Sequence, residues 1–214
     1  MKVIFIAGSY SSGTSAVTGI LDQMGVASLP PHFRTKDPLT PNSYESVAFR
    51  NLVNAYADGM KLTTDPTKAA KFVQDLRELV KNADGGPADA LVLKMPLASI
   101  CLPQIIEAVD PHVILVHRPL EEIEASRMRR NWAPIYGALG ARLIYSKLVS
   151  DLVQMRKSYL AVSYRDLQEN PRREMQRMLD FCDLSALAGR IDDAVGFVRG
   201  SDAKTAPSAA HPGK

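Results

Sequence analysis

Residues 3–15 read VIFIAGSYSSGTS: an apolar run from Val3 to Ala7, then Gly8-Ser9-Tyr10-Ser11-Ser12-Gly13-Thr14-Ser15. A short, unbroken apolar run closed by glycine predicts a strand covered on both faces. Beyond the loop, Ala16, Val17, Ile20, Leu21 and Met24 recur at helical spacing. The order buried strand, tight loop, helix points to an α/β chain built on a parallel sheet with helices on both faces.

Such a loop sets a row of backbone N–H groups beside the positive end of a helix dipole, which together hold an anion without a charged side chain. Its two glycines let backbone come close to a ligand, and Ser11, Ser12, Thr14 and Ser15 add hydroxyls. The spacing is that of the P-loop, G-x-x-x-x-G-K-[ST], except that Thr14 occupies the lysine position. A Gly/Ser turn with no ligand is the competing reading. The loop's place after the first strand and before an amphipathic helix favours a phosphate cradle.

Two later strands end in basic residues. Leu91-Val92-Leu93 delivers Lys94, and Val113-Ile114-Leu115-Val116 delivers His117-Arg118. In an open parallel sheet the C-terminal strand ends line the ligand crevice, so both cations are expected on the loop's side. Arg118 and Ser126, at the strand end and two turns into the next helix, can reach one common anion. Arg127, Arg129 and Arg130 on that helix read as a solvated face. A further strand, Leu160 to Ser163, ends at Tyr164.

Between the first helix and these strands, Pro30, Pro31, Pro38 and Pro41 impose a surface excursion carrying His32, Arg34, Lys36 and Asp37. Helices are expected over Glu45–Ala57, from Asp65-Pro66, over Pro103–Val109, over Tyr136–Lys157, from Asn170-Pro171 and through Ile191–Val198. We read residues 1–200 as one domain and 201–214, small and polar, as a disordered tail.

Composition limits the function. The chain has 214 residues, 46% hydrophobic and 23% charged, with a formal net charge of +3. That mild balance and the few aromatics give no basis for a nucleic-acid surface. Cys101 and Cys182 are too far apart for a zinc or disulfide framework and read as core residues. No stretch approaches membrane-spanning length, so a cytoplasmic protein is expected.

Four segments in order resemble the sulfotransferase family that uses 3′-phosphoadenosine 5′-phosphosulfate: GSYSSGTS from Gly8, LVLKMPLASICLPQI from Leu91, VILVHRPLEEIEAS from Val113 and SYRDLQENPRREMQRMLDFC from Ser163. The resemblance implies that Ser11, Ser12, Gly13, Thr14 and Ser15 hold the 5′-phosphosulfate of this co-substrate. It implies that Arg118 and Ser126 hold the 3′-phosphate and that Tyr164 lies against the adenine. Arg199-Gly200 is similar to a late phosphate loop without its lysine, and PNSYES from Pro41 to a stretch of bacterial members.

Two positions depart from the family pattern: Ser11 stands where a lysine or arginine is usual, and Pro96 where cytosolic members carry a histidine base. Lys94 is then the candidate for the missing charge, and Glu45 and His32 are the candidates for a general base. The implied reaction moves a sulfuryl group to a hydroxyl or amine of a small molecule or carbohydrate, with no metal. A P-loop small-molecule kinase and a non-catalytic nucleotide-binding relative are the alternatives, and oligomeric state is left open.

Overall fold

The computed structural model of the protein describes residues 1–37, 40 and 42–202, the last five by backbone alone. In chain order the elements are β1 (Lys2–Ala7), α1 (Thr14–Gln23), β2 (His32–Arg34), β3 (Asn42–Ser46), α2 (Val47–Tyr56), β4 (Ala57–Asp58), β5 (Thr63–Thr64), α3 (Ala69–Lys81), β6 (Ala90–Lys94), α4 (Leu102–Val109), β7 (His112–His117), α5 (Leu120–Arg129), α6 (Ala138–Gln154), β8 (Tyr159–Ser163), α7 (Tyr164–Glu169), α8 (Pro171–Phe181) and α9 (Ile191–Asp202). Four strands form a parallel sheet in the order β6-β1-β7-β8, with Ile4 level with Val92 on one side and His112 on the other.

The alternation of β1 divides the interior in two. Val3, Phe5 and Ala7 point into one core, with Phe49 and Val53 of α2, Phe72 and Leu76 of α3 and Ile144 and Leu148 of α6. Ile4 and Ile6 point into the other, with Val17, Ile20 and Leu21 of α1, Met175, Met178 and Leu179 of α8 and Val195 of α9. The sheet is flanked by helices on both faces, which explains why β1, β6 and β7 are apolar between their ends. Because β1, β6, β7 and β8 are parallel, Gly8, Lys94, Arg118 and Tyr164 all emerge at one end.

Several local expectations change. Glu45 does not begin a helix: it lies on β3, and the helix starts at Val47 because Ser46 caps it, accepting from the Phe49 N–H at 3.4 Å. The proline-bearing excursion is not wholly irregular, since β2 and β3 pair antiparallel, His32 level with Ser46 and Arg34 with Asn42. The long helix expected from Tyr136 is a 3-10 turn, Pro134–Tyr136, separated by Gly137 from α6. The backbone of α9 continues to Asp202, while residues 203–214 of the expected tail lie outside the described residues. Cys101 and Cys182 are both fully buried, and burial pushes each thiol up to about 12, as fits inert core residues. Among the described residues no helix is long and apolar enough to cross a membrane.

Candidate functional site

The loop after β1 is held by its own polar groups. The Gly8 N–H donates to Ser99 Oγ at 2.9 Å, and that hydroxyl donates back to the Gly8 carbonyl at 2.9 Å. Ser12, expected among the ligand-facing hydroxyls, is fully buried and donates to the Ser9 carbonyl at 2.8 Å. It shapes the loop. Gly13 sits at φ 99° with the Tyr164 ring against it; a Cβ there would lie 2.3 Å from the ring. Only glycine satisfies both the conformation and the approach. No side chain caps the start of α1 and no acidic residue occupies its first turn. Its leading N–H groups and the positive end of its dipole are thus open to an anion.

Arg118 and Ser126 meet as the spacing predicts, Nη1 to Oγ at 3.2 Å, and the guanidinium lies 4.9 Å from the centre of the Tyr164 ring. The same Nη1 points to the Ser11 carbonyl at 3.5 Å. Arg118 also donates through Nε to Glu122 at 2.7 Å, and Glu122 accepts from Arg165 at 3.0 Å. One carboxylate therefore orients two arginines and leaves a net positive charge.

Arg130 repeats this pattern on the other side of Ser11. Its Nη1 donates to Ser11 Oγ at 3.1 Å, its Nε to Asp37 at 2.6 Å and its Nη2 to Thr40 at 3.1 Å, while the guanidinium lies 4.7 Å from the Trp132 ring centre. Asp37 also takes a two-pronged contact from Arg129, at 2.9 and 3.0 Å. The reading of the arginine cluster as a solvated face therefore fails for Arg130, whose side chain is 14% exposed. A sequence signal existed: Arg130 follows Ser126 by four residues and so shares its helix face.

Lys94 lies at the end of β6 and is buried. Its ammonium donates to Ser15 Oγ at 2.9 Å, to the Ser43 carbonyl at 2.7 Å and to Glu45 at 3.2 Å, which uses all three protons. Burial pushes its pKa below the ordinary lysine value, and Glu45 opposes that shift. Glu45 additionally accepts from Arg50 at 2.5 Å. The structure thus joins two of the three candidate catalytic residues into an ion pair beneath the loop. His32 is directed elsewhere: Nε2 lies 2.9 Å from Ser28 Oγ and Nδ1 lies 3.3 Å from the Asn42 amide. Thr14 is buried at the first position of α1, and the side chain of Arg199 lies outside the described residues. Among the described residues no cluster of His, Cys, Asp and Glu is arranged to hold a metal.

A family model described as the sulfotransferase family matches residues 3–187, from the second residue of β1 to beyond the end of α8. The chain belongs to the sulfotransferase family. Sulfuryl transfer is the general chemistry of that family. No curated protein matches the sequence. Among solved structures, the chain is similar to a sulfotransferase from Alicyclobacillus acidocaldarius, at 14% identity and a TM-score of 0.50, covering 95% of this chain and 94% of that one. It is also similar to one from Mycobacterium avium, at 14% identity and a TM-score of 0.49, covering 92% and 68%. At that identity the first likeness bears on the fold alone.

Proposed function

We propose that the chain transfers a sulfuryl group from 3′-phosphoadenosine 5′-phosphosulfate to a hydroxyl or amine of a small molecule or carbohydrate. The observation that carries this is the meeting of two anion-binding groups at Ser11. On one side are the open N–H groups of α1; on the other are Arg118 and Ser126, 3.2 Å apart beneath Tyr164. A ligand with phosphate groups at both the 3′ and 5′ positions needs two such pockets. ATP, with one chain of phosphates, needs one.

In this reading Gly13, Thr14 and Ser15 present backbone N–H groups to the 5′ end, Arg118 and Ser126 hold the 3′-phosphate, and Tyr164 packs against the base. Lys94 keeps a positive charge at Ser15, and Arg130 keeps one at Ser11. Charge spreading onto the leaving oxygen as the sulfuryl group departs would be stabilised by these fixed groups, as in phosphoryl transfer. Glu45 is held between two cations, Lys94 and Arg50, with both carboxylate oxygens engaged. Both ring nitrogens of His32 are engaged. The saturated contacts of Lys94 favour a second reading, a protein that binds the nucleotide without turning it over.

Calorimetry with adenosine 3′,5′-bisphosphate and with ATP tests the assignment. Preference for the bisphosphate is expected, and equal or reversed affinity would overturn it. Donor turnover with an acceptor panel then separates transferase from binder.

A further inference from the structure

Strands β1 and β7 run level with each other as far as Ala7 and Leu115, the last pair of their ladder. Beyond it one chain turns into the glycine loop and the other runs on to Arg118, so the ladder no longer sets the distance between them. These are the two segments assigned to the 5′ and 3′ ends of the nucleotide.

A side chain from a third element spans the gap. The Tyr145 hydroxyl, on α6, accepts a hydrogen bond from Ser9 Oγ at 3.2 Å and donates one to the Val116 carbonyl at 3.2 Å. Ser9 is a platform for the loop, because its carbonyl accepts from Ser12 Oγ at 2.8 Å. Val116 stands two residues before Arg118. The neighbouring Ile144 and Leu148 are fully buried and fix α6 against the sheet. Burial pushes the Tyr145 phenol above the ordinary tyrosine value, so it keeps the proton it donates near neutrality.

Each pocket is braced internally without this hydroxyl. Ser99 and Ser12 hold the loop, while Ser126 and Glu122 hold Arg118. Two other contacts join the pockets, and they are looser. Arg118 approaches the Ser11 carbonyl only to 3.5 Å, and Tyr164 meets Gly13 through ring carbons, a contact with no directional bond. What Tyr145 adds is a fixed separation. We propose that Tyr145 is a positioning residue that sets the spacing of the two anion pockets and thereby selects a ligand with phosphates at both the 3′ and 5′ positions, an inference that rests on the nucleotide reading above. A ligand reaching both pockets gains its second contact at high effective concentration only when their spacing matches its own.

Calorimetry of the full chain with adenosine 3′,5′-bisphosphate, adenosine 5′-monophosphate and adenosine 3′-monophosphate tests this. In the wild type the bisphosphate should bind more tightly than either monophosphate. Tyr145→Phe keeps the ring and removes the hydroxyl. It should weaken the bisphosphate about tenfold and leave both monophosphates within about threefold. Ser9→Ala, which cuts the other end of the same bridge, should give the same pattern, and the double variant should lose no more than either single one.

Equal weakening of all three ligands, the mark of a merely structural tyrosine, overturns the inference, as do losses that add in the double variant. A bisphosphate preference that survives intact in Tyr145→Phe overturns it while leaving the nucleotide reading in place. A wild type in which the second phosphate adds no affinity overturns both.

Discussion

Two of the cations beside the loop after β1, Arg118 and Lys94, are held in opposite ways. Arg118 is partly open to water; it rests on Tyr164 and shares Glu122 with Arg165. Lys94 is closed off, with an acceptor for each of its three protons. A group with spare donors and a face toward solvent can exchange partners when an anion arrives. A saturated ammonium cannot do so without breaking its own cage. In the proposed function the difference separates a binding element from one that fixes the start of α1 to β3.

The sharpest way to break the comparison is Lys94→Ala. If the cage is structural, the substitution strands Glu45 beside Arg50 alone and costs about 3 kcal/mol, the low end for opening a buried pair. Thermal denaturation should then show a fall of about 6–12 °C. An unchanged melting temperature with lost turnover would instead place Lys94 at the reacting group.

Next is Arg118→Ala, which should weaken adenosine 3′,5′-bisphosphate binding about ten- to a hundredfold while leaving ATP affinity within about threefold. Equal losses for both nucleotides, measured by calorimetry, would remove Arg118 from 3′-phosphate recognition. Arg130→Gln keeps a polar end near Ser11 but no charge, and is expected to lower donor affinity about tenfold. Wild-type affinity in that variant would reduce Arg130 to a tether for Asp37.

The smallest effect concerns pH. Hydrogen bonding from Arg118, with Arg165 adding to it, holds the Glu122 carboxyl below its usual range. A carboxylate lowered on folding stabilises the fold above its unfolded value, about 4.3, and loses that contribution as the pH falls through the folded one. The melting-temperature gap between wild type and Glu122→Gln should therefore be full near neutrality and close below about pH 4. A gap that widens in acid would reverse the assignment.

What could be read in advance follows from how local each feature is. Strand β1, its loop and α1 are contiguous, and apolar runs and glycines mark them directly. Arg118 and Ser126 were legible because eight residues of strand end and helix set their separation. The Arg130 contact with Ser11 spans 119 positions and depends on how α5 ends, so the helix face shared with Ser126 marks the residue but not its partner. Glu45 was misplaced because the apolar spacing that follows it runs on into α2. The cap at Ser46 and its pairing with His32 are what stop the helix there.

Ser99 adds a mechanical consequence. Its hydroxyl both gives a hydrogen bond to Gly8 and takes one from it, so the chain after β6 and the chain after β1 are latched at one residue. The segment bearing Lys94 and the segment bearing the glycines cannot drift apart while that latch holds. In the proposed function a nucleotide would enter a mould whose shape was fixed as the strands assembled, and little of its binding free energy would be consumed in ordering the walls.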